Sequence, residues 1–182
     1  MKYKSCLLIT ALIFIICCTA SAFFYQHLDS SINNYSKSIN ESELSFLRIV
    51  LINNATIFIY LLLGVFSFSI FSFCVFILNG ISVTTSFIYF SKKIGLYKAA
   101  ILVFPHGLIE LTWLIGITAF SLYLSFYLKK LFDTSFTDNT FFRKLFSRRL
   151  LYLFVLLIIS AFIESFLTFS ILKKLWNITF YS

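Results

Sequence analysis

The most informative segment for chemistry is PHGLIE at positions 105–110. His106 and Glu110 are four positions apart, so on a helix their side chains share one face. Glu110 lies inside an apolar stretch, where an ionisable group costs several kcal/mol unless it is paired or hydrated. We expect His106 to be its partner, through the shared face or a water. We also predict that a helix begins at Pro105 and that Gly107 leaves room for a neighbouring backbone.

A second acid, Glu164, lies in the last apolar stretch, with Ser160 and Thr168 four positions to either side. Two helices therefore carry carboxyl groups into the membrane, and nearby amides are candidate hydrogen-bond donors. Gly80, beside one of these amides, allows close packing or a local break. The residues of this candidate buried polar site are Asn53, Asn54, Asn79, Gly80, Pro105, His106, Gly107, Glu110 and Glu164.

Three interpretations of this site are open: a hydrogen-bond network that fixes helix register, a polar cavity or hinge in a transport-like subunit, and an intramembrane hydrolase or metal centre. Zinc needs three or four protein ligands, and the sequence offers His106 and two acids. The sequence contains no GxSxG or HExxH motif and no phosphate-binding P-loop. We therefore expect no catalytic residues, no metal, no cofactor and no ATP binding by this chain, which makes it a non-enzymatic protein.

The elements that position these residues are membrane helices. Of the 182 residues, 60% are apolar and only 12% are charged, and the mean hydropathy is +0.95. A soluble domain of this length cannot bury so much apolar surface, so a soluble enzyme, a disordered tail and a secreted disulfide scaffold are excluded. Of the 22 charged residues, 20 lie between or beside apolar runs, and Glu110 and Glu164 are the exceptions. The composition predicts an all-α, polytopic helical bundle that forms one integral membrane domain over 1–182.

We predict five spans, at about 6–25, 47–71, 73–90, 105–128 and 150–172. A short interfacial or re-entrant helix is expected at 94–104, before Pro105. A polar stripe in the second span is expected to face other helices, either as plain packing or as the wall of a polar cavity, because polar side chains in lipid are costly. Its members recur at steps of three or four and are Asn53, Thr56, Tyr60, Gly64 and Ser67.

The segment Lys129–Arg149 carries a formal charge of +4 and should be cytoplasmic under the positive-inside rule. The N-terminus should then also be cytoplasmic. Five full crossings place Lys92, Lys93 and Lys98 outside, against the same rule. A re-entrant 73–90 followed by a hairpin over 94–128 moves them inside, and both topologies stay open. The net charge of +8 is read as a topology signal and an attraction to anionic lipid, not as a nucleic-acid footprint.

A basic amphipathic helix is expected at about 139–150, lying at the membrane surface. Its apolar face holds Phe141, Phe142, Leu145 and Phe146, and Arg143 and Lys144 lie elsewhere on it. This face rests on lipid or inserts into a groove on an ATPase, which makes 141–146 a candidate docking segment for a partner.

The chain resembles the stage II sporulation protein M family over about 45–172. The matching features are Asn53 and Asn54 at the start of the second span, then Gly64, the Asn79-Gly80 pair, PHGLIE at 105–110 and IESFLT at 163–168. The combination of the last two is specific, whereas each alone is weak. The sporulation branch of the family lacks the PHGxxE motif, and the chain is more similar to the stand-alone members found in circular bacteriocin gene clusters.

This resemblance implies a small permease-like subunit in the cell membrane that assembles with a separate ABC-type ATPase. Such a complex would export an antimicrobial peptide or protect its producer from it. The alternative implied by the sporulation branch is a structural membrane protein of spore engulfment, in a complex with proteins that remodel peptidoglycan. A homo-oligomer is a further expected form. The family supplies no catalytic residues to transfer to this sequence.

Overall fold

The computed structural model describes residues 2–24, 43–133, 140–168 and 170–171. All regular structure in these ranges is helical, and five helices are long and apolar enough to cross a membrane. The predicted all-α membrane bundle is therefore confirmed. The elements, in chain order, are α1 (Tyr3–Phe24), α2 (Glu43–Leu63), a 3₁₀ turn (Gly64–Ser67), α3 (Ile70–Ile94), α4 (Leu96–Asp133), α5 (Thr140–Leu145), α6 (Arg148–Ile163) and a π-helical turn (Glu164–Thr168).

The segments able to cross a membrane have the following bounds: Tyr3–Phe23, Leu44–Ser67, Ile70–Ile94, Gly107–Phe132 and Arg143–Leu167. The long uncharged stretch is divided at Phe68 and Ser69, a few residues before the predicted break. Both residues adopt positive φ values, 51° and 70°, which reverse the chain between α2 and α3. The predicted end of the last span, at 172, lies outside the described residues.

Helix α4 is the centre of the bundle and packs against α1, α2, α3 and α6. Its inward side chains are almost completely inaccessible, and they are Trp113, Leu114, Ile117, Phe120 and Leu124. The other long helices keep many large apolar side chains exposed on the outside, as expected where lipid is the solvent. The core is thus formed by α4 and by the sides of the four surrounding helices that face it.

The prediction that a helix begins at Pro105 is wrong. Helix α4 begins at Leu96 and carries Pro105 in its interior. A short apolar helix before Pro105 does exist, at Leu96–Pro105, but it is continuous with the crossing that follows. Proline removes one backbone donor, and membrane helices tolerate this because neighbouring groups satisfy the freed carbonyl. The real break lies at Gly95, whose φ of 87° favours glycine and ends α3.

The face of α2 that packs against other helices also differs from the predicted one. Of the predicted stripe, Asn53, Thr56 and Tyr60 are exposed on the bundle surface and Gly64 is buried; the other buried residues here are Asn54, Phe58, Leu61 and Val65. The Thr56 hydroxyl donates to the carbonyl of Ile52, 2.7 Å away on the same helix, so it needs no hydrogen-bond partner on another helix. Lipid does not drive apolar residues inward as water does, so the polarity of a stripe does not decide which face is buried.

One end of the bundle, here called the basic end, is formed by the starts of α1 and α6, the end of α4, and α5. The Tyr3 ring lies against those of Phe120 and Tyr123, with ring centroids 6.4 and 5.8 Å away. The Arg149 guanidinium lies 4.7 Å from the centre of the Tyr3 ring. These contacts place the first turn of α1 on the same side as the charged segment 129–149, as an even number of crossings between them requires.

Lysines 92, 93 and 98 lie at the opposite end of the bundle. Helix α3 has 25 residues and spans about 38 Å, which is enough for a full crossing. It runs parallel to α1, since Phe14 contacts Phe76 and the next turns bring Phe14 and Cys17 to Gly80. The alternative with a re-entrant 73–90 and a 94–128 hairpin does not describe this structure, because α3 is one uninterrupted helix and α4 another.

Candidate functional site

A buried aromatic layer fixes the relative positions of α2, α4 and α6. The Trp113 side chain is completely inaccessible, and its indole Nε1 donates to the Ser160 hydroxyl over 3.0 Å. Ser160 in turn donates to the carbonyl of Leu157, 2.8 Å away. The Phe58 ring lies 6.2 Å from Trp113 and 5.9 Å from Phe154, measured between ring centroids. Because each helix contributes an anchor here, the next turn of each helix is held in register with the others.

One turn beyond this layer, away from the basic end, all three elements carry polar residues. Asn54 precedes Phe58 by four positions, Glu110 precedes Trp113 by three, and Glu164 follows Ser160 by four. Since α6 runs antiparallel to α2 and α4, these steps lead toward the same end of the bundle. The π-helical turn that carries Glu164 packs against α4, the helix that carries Glu110. We call Asn54, Glu110, Glu164 and the adjacent Ser165 the intramembrane polar site.

Burial in this polar site is deep, and some of its hydrogen-bonding groups have no protein partner. Asn54 is 2% exposed and Ser165 is fully buried, while both glutamates are half-buried. Neither the Asn54 Nδ2 nor the Ser165 hydroxyl finds a partner among the described residues. Each such group costs about 1–3 kcal/mol, and groups of this kind are concentrated where a protein uses them. The site therefore combines two carboxyl groups, which accept hydrogen bonds, with an amide and a hydroxyl that have no hydrogen-bond partner among the described residues.

The local backbone around Glu164 is also unusual. The α-helix ends at Ile163, and Glu164–Thr168 forms a π-helical turn. This wider turn contacts both α2 and α4, so it brings Glu164 and Ser165 to the helices that carry Asn54 and Glu110. Single π-helical turns are rare inside α-helices and are frequent at functional sites. The sequence predicts a continuous helix here, because nothing in IESFLT signals the extra residue in the turn.

Several residues of the predicted site lie elsewhere. Asn53 points to the outside of the bundle, on the exposed face of α2. Asn79 donates to the carbonyl of Val75 on its own helix, 2.8 Å away. Gly80 packs against α1, where a Cβ would lie 3.3 Å from the Phe14 ring. Gly80 therefore lies at the contact between α1 and α3, and Asn79 is hydrogen-bonded within α3.

The PHGLIE segment is a continuous part of α4. Gly107 is buried, but a Cβ there would meet only Val103 of its own helix, at 3.4 Å, within the described part of the chain. Among the described residues, no other backbone approaches Gly107 closely. The His106 backbone is helical, but its side chain lies outside what the structure describes, so its pairing with Glu110 stays a prediction.

The chemistry that the intramembrane polar site offers is proton exchange at its carboxyl groups and hydrogen bonding by its amide and hydroxyl groups. Keeping two carboxylates ionised at membrane depth costs several kcal/mol, which protonation of a carboxyl group relieves. Within the ranges that the structure describes, no group of three or more His, Cys, Asp or Glu residues is placed to hold a metal ion. The residue types make this a candidate site for neutralising charge inside a helix bundle.

The candidate docking segment is shorter than predicted. Helix α5 covers only Thr140–Leu145, a turn follows, and α6 starts at Arg148. Leu145 packs against the core, and the Lys144 ammonium lies 3.1 Å above the centre of the Tyr127 ring. Arg143 and Phe146 are exposed, the latter by 79%. The predicted single apolar face is therefore divided, and the side chains of Phe141 and Phe142 lie outside the described residues.

A second polar cluster was not predicted from the sequence. The hydroxyls of Ser69 and Ser125 are 2.7 Å apart, as are those of Ser72 and Ser121. Ser72 also reaches the carbonyl of Leu61, 2.6 Å away. This serine network ties the turn between α2 and α3 to α4. The spacing of Ser121 and Ser125, one turn apart in an apolar helix, is the signal that could have identified it.

The comparisons with known proteins agree with the resemblance. A family model described as Stage II sporulation protein M matches residues 6–169, which is most of the chain. No curated protein and no solved structure matches the chain significantly.

Proposed function

The chain belongs to the stage II sporulation protein M family, and we propose that it is a non-enzymatic, permease-like membrane subunit. Its partner is a separate ABC-type ATPase, and the complex exports an antimicrobial peptide or protects the producing cell from it. The observation that carries this proposal is the pair of glutamates at membrane depth. Ionisable groups at membrane depth are costly, and in transporters they mark ion pathways and proton relays, which supports this function for Glu110 and Glu164.

Energy in this proposal enters through the basic end, which faces the cytoplasm under the positive-inside rule. The sequence contains no P-loop, so ATP is bound by another chain. At this end, the exposed side chains of Phe146 and Arg143 are the ones that we expect to enter a groove on an ATPase. The Lys144–Tyr127 contact and the buried side of Leu145 hold the segment in place beneath them.

The test is co-purification of the chain with an ABC-type ATPase from the same organism. Phe146→Ser should reduce recovery of the ATPase several-fold, because it removes the exposed aromatic side chain, while the amount of chain in the membrane stays the same. Tyr97→Ser is a matched control, since Tyr97 is also 79% exposed but lies at the opposite end of the bundle. If Phe146→Ser and Tyr97→Ser recover equal amounts of ATPase, the docking segment is a lipid contact and this coupling route is wrong.

Spore engulfment is the second candidate, because the family model is named for a sporulation protein. The two functions differ in their gene neighbours: an ATPase gene and a gene for a small amphipathic peptide support transport, whereas cell-wall hydrolase genes support engulfment. They differ also in the phenotype of a deletion. Loss of the gene should make a peptide producer sensitive to its own product, and a defect confined to sporulation would instead support the engulfment function.

A further inference from the structure

A groove of about 420 Å³ opens on the outside of the bundle near the basic end. It lies between the turn that joins α2 to α3 and the last third of α4. Phe68 forms one wall, and Leu122, Ser125, Phe126 and Lys129 form the other. Phe68 and Phe126 are 52% and 42% exposed, so the groove is accessible from the surrounding lipid.

The four α4 residues form one stripe along the helix. Leu122, Ser125 or Phe126, and Lys129 follow one another at steps of three or four positions, and the stripe is about 10 Å long. Leu122 and Phe126 make the part of the stripe farther from the basic end largely apolar. The stripe ends at Lys129, the first basic residue after an uncharged stretch from 111 to 128. An apolar wall below a cation at the membrane surface is complementary to a phospholipid, whose acyl chain lies below its phosphate.

The wall formed by Phe68 is fixed before any ligand arrives. Phe68 and Ser69 both have positive φ values, which side chains other than glycine adopt at a cost of about 1–3 kcal/mol each. The serine network maintains this conformation: the Ser69 hydroxyl lies 2.7 Å from that of Ser125, and Ser125 is also within 3.2 Å of the carbonyl of Val65. A preformed groove binds more tightly because little conformational entropy is lost on binding.

We propose that this groove is a binding site for one anionic phospholipid, with an acyl chain between Phe68 and Phe126 and the phosphate on Lys129. The neighbouring charges favour an anionic over a zwitterionic lipid, since the basic end also carries Lys130, Arg148 and Arg149. The bound lipid braces the α2–α3 turn against α4. This role is independent of the proposed coupling to an ATPase.

The experiment is native mass spectrometry of the purified full chain with phosphatidylglycerol or with phosphatidylcholine of the same acyl chains. The wild-type chain should retain one phosphatidylglycerol preferentially. Lys129→Gln should weaken this binding about fivefold, the loss expected for about 1 kcal/mol from one cation near the surface. Lys130→Gln is the matched control, because it removes the same charge at the same depth from a residue that does not line the groove.

Leu122→Trp tests the acyl-chain part of the site, because a larger side chain fills the groove without changing charge, and it should also abolish preferential retention. If this variant does not fold, the comparison of Lys129→Gln with Lys130→Gln still decides. Equal losses in these two lysine variants would overturn the proposal in favour of diffuse attraction. Competition by glycerol phosphate would indicate a phosphate site without an acyl chain and would also overturn it. The same holds if Leu122→Trp changes the oligomeric state and leaves lipid retention intact, since the groove would then contact a second copy.

Discussion

Glu110 and Glu164 carry carboxyl groups inside apolar spans, where an ionised group costs several kcal/mol unless it is paired or hydrated. They lie one turn beyond the contact between Trp113 and Ser160, which holds α4 against α6. Asn54, with its unpartnered Nδ2, approaches from α2. Three helices therefore converge on a small set of polar groups.

Substitution of Glu110 separates hydrogen bonding from charge. Glu110→Gln keeps two hydrogen-bonding groups, so the free energy of unfolding should stay within about 1 kcal/mol of wild type. Glu110→Leu removes the acceptor for His106, its predicted partner, and should cost about 1–3 kcal/mol. Thermal unfolding of both variants in detergent measures the difference. Identical Tm values for the two variants would show that the Glu110 side chain makes no hydrogen bond in the bundle.

At the scale of elements, the turn between α2 and α3 depends on the absence of a side chain at Gly64. A Cβ at this position would collide with the Ser72 hydroxyl and lie 2.6 Å from the Ser72 backbone nitrogen. The backbone cannot move away easily, because the backbone N–H of Ser69 donates to the Gly64 carbonyl over 2.8 Å. The close approach thus determines both the turn and the serine network that holds it to α4.

Gly64→Ala should therefore destabilise the chain by about 2 kcal/mol or more, within the upper range for overpacked sites. Gly107→Ala is the control: among the described residues its Cβ would meet only Val103 at an ordinary contact distance, and alanine favours a helix over glycine by about 1 kcal/mol. Unfolding by heat or by denaturing detergent should rank the Gly107→Ala variant as equal to or above wild type and the Gly64→Ala variant well below it. If both alanine variants were equally stable, the turn would not be closely packed.

The number of helices was predictable, whereas their packed faces and internal irregularities were not. Uncharged runs of membrane length identify the spans, and the length of 49–90 requires a reversal that the structure places at Phe68 and Ser69. The polar stripe of α2 was misassigned because lipid imposes no strong preference on which face is buried. Pro105 was read by the rule for soluble helices, which end where a backbone donor is lost, but a packed membrane helix continues through it.

At the scale of the whole molecule, charge and helix direction give one consistent orientation. Five crossings place the first turn of α1 and the segment 129–149 at the basic end, and the contact of Arg149 with Tyr3 brings these parts together. The lysines around Gly95 lie at the other end. The basic end holds more Lys and Arg residues than the end with Lys92, Lys93 and Lys98, so the positive-inside rule favours a cytoplasmic basic end.

We therefore predict that the basic end is cytoplasmic and that the turn at Gly95 is outside. Single cysteines at Arg143 and Lys98, both exposed positions, can be introduced after Cys6, Cys17, Cys18 and Cys74 have been replaced. In intact cells, a membrane-impermeant maleimide should label Lys98→Cys and not Arg143→Cys, because only the former faces the outside. After permeabilisation both should react, which controls for the accessibility of each thiol. Labelling of Arg143→Cys in intact cells, with Lys98→Cys protected, would invert the orientation and exclude an ATPase at the basic end.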